Sequence, residues 1–158
     1  MKDEAFDTRL RERFLDTYWR VTKGETAYWR KEPQGRLAEI IVLDQFARNM
    51  FRGSPQAFEH DPHAQKLAEE AIRVRDDKKL PPRMRHFLYM PYMHSESREV
   101  HKKAVWLFLS LFDFWTLVYE FKHKRIIDRF GRYPHRNAVL GRESTEAEKE
   151  FLKTHKGF

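Results

Sequence analysis

A helical period of apolar residues, interrupted at proline and glycine, runs along nearly the whole 158-residue sequence. In the first segment Phe6, Leu10, Phe14 and Tyr18 recur at four-residue steps, which places them on one face of an α-helix. Alternating apolar and polar runs of strand length, and Asn-Gly or Asp-Gly hairpin turns, do not occur. The pattern predicts an all-α fold of about six or seven antiparallel helices, as a bundle or as a solenoid of helix pairs.

Proline and glycine fall between the predicted helices. The second helix opens at Pro33 and is apolar nearly all round, so we expect it to be the most buried. Asp61 is predicted as the N-cap of the third helix, with Pro62 in its first turn, and Ser95 as the cap of the fifth. The other predictions are a first helix from about Asp3 to Val21, a fourth around residues 84–93, a sixth from about Phe114 to Arg129, and a last one after the capping-box pattern Thr145–Glu148.

Length and composition predict a single soluble domain, residues 1–158. The sequence has no cysteine, which excludes disulfides, thiol nucleophiles and cysteine-based zinc sites. The N-terminal residues lack an apolar signal region, and the longest apolar stretch, around Val105–Leu117, is too short to span a bilayer. We therefore expect a cytoplasmic protein with no membrane span.

The net charge of +7 is concentrated in one part of the sequence. Between Phe121 and Arg142 the only acid is Asp128, and the basic residues there are Lys122, Lys124, Arg125, Arg129, Arg132, Arg136 and Arg142. Such a surface favours anionic partners, namely a small molecule, an acidic peptide or a nucleic acid. No nucleic-acid recognition module is visible, and a solvated basic face without any ligand is the alternative.

The end of the second predicted helix carries polar residues that packing alone does not explain. Asp44 follows the most apolar run of the chain and stands four residues before Arg48, so the two can pair on one helix face. Asn49 and Arg52 follow where the helix must end. These residues are candidates for a ligand-binding site. The alternative is a structural ion pair that finishes a buried helix, with Asn49 as a left-handed cap.

A second polar segment, residues 129–137, has the character of an ordered loop. Gly131 and Pro134 restrict its shape, while Arg132, His135 and Arg136 offer charge and hydrogen bonds. Together with the neighbouring Asn137, these three side chains are candidates for an anion clamp. The alternative is that the arginines bind the free carbonyl groups at helix ends.

His94, Ser95 and Glu96 lie between these segments. A histidine and an acid at a helix start are candidates for an acid–base pair, with His135 as a further candidate. The simpler alternative is that His94 or Ser95 caps the helix and Glu96 complements its positive end. The metal-ligand residue types within residues 59–63 lack a metal-binding spacing, so no metal site is predicted and the nature of any cofactor stays open.

Four segments together resemble a mainly bacterial family, domain-of-unknown-function family nine-two-four. They are LDQFARNMFRG (Leu43–Gly53), AFEHD (Ala57–Asp61), FLYMPYMHSE (Phe87–Glu96) and RFGRYPHRNAVLGRESTEAE (Arg129–Glu148). The resemblance implies an α–α superhelix similar to tetratricopeptide repeats, and it supplies no established activity. Members of that family usually begin with a further aromatic-rich helix before the region matching Lys2–Phe6. Where that helix is missing, the alternatives are exposed core surface or an open groove.

Three functions remain open from the sequence. The leading hypothesis is a polar pocket that binds an anionic small molecule or an acidic peptide end through Arg48, Arg52, Arg132 and Arg136. The second is an enzyme acting on an anionic substrate, with His94 or His135 as acid–base residue and Asp44 or Glu96 orienting it. The third is a basic scaffold for protein or RNA. Because ends of even-numbered helices in an antiparallel array share one side, we predict that Arg48, His94, Glu96, His135 and Arg136 converge.

Overall fold

The computed structural model describes residues 3–155 and residue 157, and within them all regular structure is helical. Met1 and Lys2 lie outside the described residues, and so does the position at which other family members carry their additional helix. The helices are α1 (Glu4–Thr22), α2 (Pro33–Ile41, Val42–Phe46 and Ala47–Met50 in succession), α3 (Asp61–Arg73), α4 (Pro82–Met93), α5 (Arg98–Leu109), α6 (Phe114–Phe130) and α7 (Glu146–Thr154). The predicted all-α fold of six or seven helices in packed pairs is confirmed.

Side-chain caps fix where most of these helices begin. The carboxylates of Asp3 and Asp113 accept backbone N–H groups in the first turns of α1 and α6, and Thr145 forms the predicted capping box of α7. The prediction for α5 was wrong by two residues. Ser97, rather than Ser95, accepts the N–H of the first turn, because the chain is still turning out of α4 at Ser95.

Helix α2 is the centre of the fold, as its all-round apolar sequence predicts. It packs against α1, α3 and α4, and Leu37, Ile40 and Leu43 are buried in the main core. Its middle is a π-helical turn, in which the N–H of Ala47 donates to the carbonyl of Val42 five residues earlier. Such wide turns are uncommon and occur frequently at functional sites.

The predicted cap at Asp61 and the alternative of a left-handed cap at Asn49 are both absent from the structure. Asp61 is the first residue of α3 instead of its N-cap, and its carboxylate binds arginines instead of backbone N–H groups. Asn49 is helical instead of left-handed, and its side chain donates to the carbonyl of Gln45. Gly53, which has no Cβ to clash, adopts the left-handed φ of 79° that turns the chain after α2.

The helix ends sort onto two sides, as expected for an antiparallel array with short links. The loops after α2, α4 and α6 meet at one end of the molecule. The link between α5 and α6 lies at the other end, where Leu111 to Asp113 form a turn and Phe112 has a φ of 56°. None of the helices within the described residues is long and apolar enough to cross a membrane.

Candidate functional site

A cavity of about 230 Å³ opens where the ends of α2, α4 and α6 meet. Its lining includes Arg48, His94, His135 and Arg136, so the predicted convergence is confirmed for these four residues. Glu96 lies on an adjoining cavity of about 450 Å³, which shares His94 and Arg136 with the first. The remaining lining of the smaller cavity is Arg52, Gly53, Ala57, Phe58, His123 and Tyr133.

His94 is held by a buried carboxylate. Asp44, which is 0% exposed and lies in the π-helical turn of α2, has its Oδ1 atom 2.7 Å from Nδ1 of His94. Burial would raise the pKa of Asp44, but the adjacent His94 and the Arg48 guanidinium lower it to about 2. Burial, together with the charge of Arg48, lowers the pKa of His94 below its usual range. At neutral pH the pair is therefore a carboxylate and a neutral imidazole whose Nδ1–H donates to Asp44.

Asp61 joins two arginines that are far apart in sequence. Both terminal nitrogens of Arg48 donate to its carboxylate at 2.9 Å, and Nη1 of Arg136 donates to Oδ2 at 3.2 Å. Arg48 also lies 3.2 Å from Asp44, which confirms the predicted pair four residues apart. Two carboxylates thus balance two guanidinium groups, and this balance allows the charges to be buried.

Arg136 is held by two aromatic rings and by hydrogen bonds from its terminal nitrogens. Its guanidinium carbon lies 4.6 Å from the ring centres of both Phe58 and Tyr133, so the planar group is sandwiched between two aromatic faces. Its Nη2 donates to the carbonyl of His94, the residue that ends α4. Arg136 therefore binds a carbonyl group at a helix end, as the structural alternative proposed, and it also lines the cavity.

Two further histidines on the cavity wall are neutral. Burial lowers the pKa of His123 to about 3, and its Nδ1–H donates to the carbonyl of Tyr119. Burial and the charge of Arg136 lower the pKa of His135 to about 4. The cavity therefore combines arginines with imidazoles that are unprotonated at neutral pH.

The buried Tyr133 and the half-buried pair of Glu96 and Arg142 fix the loop after α6. The hydroxyl of Tyr133 donates to the carbonyl of Met93 at 2.5 Å. Glu96 accepts the backbone N–H of Tyr133 and binds Arg142 through both of its oxygens, so it does not complement a helix end as the simpler alternative proposed. Burial would raise the pKa of Glu96, but the hydrogen bond from Arg142 lowers it.

Several predicted site residues have partners within the protein. Arg52 binds Asp7 through two nitrogens and donates to the Asn49 side chain at the cavity rim. Arg132 binds Glu148, and Asn137 donates to the same carboxylate and to Ser144. Arg132, Asn137 and Asn49 are not part of the cavity lining among the described residues. A ligand-binding role for these three residues stays a prediction from the sequence.

Phe58, His123 and Tyr133 line the cavity and were not predicted from the sequence as site residues. His123 carried a usable signal, because it lies on the buried stripe of α6 together with Thr116 and Glu120, at spacings of three and four residues. A polar residue on such a stripe needs a partner or a function. Among the described residues no group of three or more histidine, aspartate or glutamate side chains is arranged to hold a metal ion.

The similarities to known proteins cover nearly the whole chain. A family model described as bacterial protein of unknown function (DUF924) matches residues 1–156. A solved structure of a protein of unknown function, ATU0120 from Agrobacterium tumefaciens, is 36% identical, with a TM-score of 0.93 over 98% of this chain and 88% of that chain. No functionally curated protein matches the sequence.

Proposed function

The chain belongs to the DUF924 family of bacterial proteins, whose function is unknown, and we propose that it is an enzyme acting on a small anionic molecule. His94 is the proposed acid–base residue, Asp44 orients it, and the arginines of the cavity attract the anionic group. The contact of 2.7 Å between Asp44 and Nδ1 of His94, at the wall of the cavity, carries this proposal.

Among the described residues, two pairs of a histidine with a buried carboxylate differ in a way that supports a chemical role for His94. His101 uses both ring nitrogens within the protein, at 2.8 Å from Glu120 and 2.9 Å from the carbonyl of Ser95. His94 uses only Nδ1 for hydrogen bonds within the described residues, and it borders both cavities. A histidine with a purely structural role is expected to resemble His101.

The chemistry follows from the protonation states. Because Nδ1 of His94 donates to ionised Asp44, Nε2 carries the lone pair and accepts a proton from a substrate hydroxyl or a water molecule. The imidazolium that forms is stabilised by the charge of Asp44, as in other histidine–carboxylate pairs. Asp44 stays ionised throughout, and its role is to fix the orientation and tautomer of the ring.

The residues of the cavity wall support the proposal that the substrate is an anion. The lining contains three arginines and three histidines, and among the described residues it contains no acid. Asp44 pairs with Arg48 without lining this cavity, and Asp61, which binds Arg48 and Arg136, lines the adjoining cavity. A carboxylate or phosphate group is therefore the favoured ligand, and its charge would raise the pKa of His123 and His135. We expect such an anion to bind more tightly as the pH falls.

Substitution of His94 by glutamine tests the proposal, because glutamine keeps a donor for Asp44 and removes the basic nitrogen. Wild-type protein incubated with a bacterial metabolite extract should consume one anionic compound, as measured by mass spectrometry. The His94→Gln variant should leave that compound unchanged, with a rate at least about 100-fold lower. His155→Gln, which changes an exposed histidine outside the cavity lining, is the matched control and should behave as wild type.

The same experiment separates catalysis from simple binding. A protein that only binds the anion would retain the compound, unchanged, during gel filtration in both wild-type and His94→Gln forms. Turnover that persists in His94→Gln would contradict the proposed role of His94. Turnover lost in His94→Gln and also in His155→Gln would indicate a general effect on the fold.

A further inference from the structure

A group of large apolar side chains is exposed at the end of the molecule opposite the cavity. Trp106 is 72% exposed, Trp115 73% and Phe112 97%. We call this surface the aromatic patch, and its members are Met84, Phe87, Trp106, Leu109, Phe112, Phe114, Trp115 and Tyr119. Single exposed apolar residues are normal, but a cluster of this size marks an interaction surface.

Three helices contribute to the patch. Met84 and Phe87 lie near the start of α4, Trp106 and Leu109 on the last turn of α5, and the remaining members in the following turn and the first half of α6. Thr116 of α6 contacts His86 of α4 at 3.3 Å. Phe87, Leu111 and Asp113 line one shallow cavity of about 380 Å³ at this junction.

Phe112 is the most exposed member and contributes almost nothing to the core. Its φ of 56° lies in the left-handed region, which is unfavourable for a bulky residue. The turn thus holds a phenyl ring in water at a cost in backbone energy, without a compensating contact within the fold. That cost is explained if the ring has a partner outside the chain.

The charges next to the patch are basic. Lys122 lies over the ring of Tyr119 with its nitrogen 5.0 Å from the ring centre, Arg83 lines the cavity with Phe87, and exposed Lys103 stands three residues before Trp106 on α5. The nearby acid, Asp113, is bonded to Thr116 and to the first backbone N–H groups of α6. The patch is therefore apolar and bordered by positive charge.

We propose that the aromatic patch binds the surface of an anionic lipid bilayer. Tryptophan, tyrosine and phenylalanine side chains favour the boundary between headgroups and acyl chains, and lysine and arginine next to them attract anionic headgroups. A second copy of this chain fits less well, because a two-fold contact would bring the basic borders of two patches together. The protein lies on the membrane in this arrangement, with the cavity facing away from the bilayer. This inference does not depend on the proposed enzymatic activity.

Vesicle co-sedimentation tests this inference with the complete chain. Wild-type protein should bind vesicles of phosphatidylcholine mixed with phosphatidylglycerol at least about tenfold more tightly than vesicles of phosphatidylcholine alone, since several basic residues attract the anionic headgroups. The fluorescence of Trp106 and Trp115 should shift to the blue on binding. The triple variant Phe112→Ser, Phe114→Ser, Trp115→Ser should lose binding, while Tyr28→Ser, at an aromatic residue that is 59% exposed outside the patch, should bind as wild type.

A charge variant covers the case in which the triple variant does not fold. Lys103→Glu together with Lys122→Glu leaves the aromatic residues in place and should reduce binding to the mixed vesicles about tenfold or more. Equal binding by this variant and wild type would overturn the proposal. Wild-type protein that does not bind the mixed vesicles would also overturn the proposal. This includes the case in which gel filtration shows a dimer that the triple variant converts to a monomer.

Discussion

Helix α6 connects two regions that differ in which side chains they bury and which they expose to water. At its first turn Phe114 and Trp115 are exposed, whereas beyond its last turn Arg136 is buried between two aromatic rings. Charges are placed inside at one end of the molecule, and aromatic rings are placed in water at the other. Both arrangements run against the usual preference of the residue types. The proposed ligand would account for the first arrangement and the proposed membrane surface for the second.

The comparison predicts that the cavity end depends on its buried acid. Asp44→Ala leaves His94 without its partner and Arg48 with one carboxylate fewer, so we expect the free energy of unfolding to fall by about 3–5 kcal/mol. Urea unfolding followed by circular dichroism measures it. Asp16→Ala, at an exposed acid on α1, is the matched control and should change stability by less than about 0.5 kcal/mol. Equal stability of the two variants would mean that Asp44 does not stabilise the fold through His94 and Arg48.

A fall in pH should lower the free energy of unfolding, because the histidines at the cavity are neutral in the fold. The pKa of His123 is lowered to about 3 in the fold, so between pH 6.5 and 3 the unfolded chain binds a proton that the folded chain does not. Stability is then lost as the pH falls through this window, by about 1.4 kcal/mol per pH unit for each such histidine. His135, with a pKa of about 4, adds to the loss down to that pH.

Denaturant unfolding at several pH values measures this slope. His123→Gln should flatten it between pH 6 and 4, because the variant removes one of the protons that only the unfolded chain takes up. His155→Gln, at an exposed histidine, should keep the wild-type slope. A His123→Gln slope identical to that of wild type would show that His123 does not remain neutral in the fold.

Substitution of an exposed residue of the aromatic patch should raise the free energy of unfolding instead of lowering it. Phe112→Gly removes an exposed ring and relieves a left-handed φ, so we expect the protein to become more stable, by about 0.5–1 kcal/mol. Thermal unfolding measures the gain. Phe108→Ala, which truncates the fully buried phenylalanine four residues earlier, should instead lose about 3–5 kcal/mol. A loss of stability in Phe112→Gly would mean that this ring packs within the fold.

The sequence predicted most of the fold because its signals are local. Proline, glycine and capping residues mark helix ends within a few positions. The apolar period shows which face of each helix is buried and predicted the central place of α2. The number of helices between them predicted that Arg48, His94 and His135 meet on one side of the fold. The same reasoning placed Asp44 next to Arg48, since four residues make about one turn.

Contacts between segments that are far apart in sequence could not be predicted from such local signals. Asp61 had the residue type and position of a cap, and only the three-dimensional arrangement shows that Arg48 and Arg136 compete successfully for its carboxylate. The exposure of Phe112 was equally hidden, because no glycine or proline marks the turn between α5 and α6. Charge-assisted bonds across segments outweigh a local cap when both partners are buried.

The π-helical turn of α2 has a consequence for how this chain varies among its relatives. Each additional residue rotates the rest of a helix by about 100°, so the wide turn at residues 42–46 sets the direction in which every later side chain of α2 points. Loss of a single residue there would restore a regular helix and carry Arg48 away from Asp61. An aligned relative with a one-residue gap at this point would keep the fold yet lack the cavity, whereas substitutions elsewhere in α2 leave the register intact.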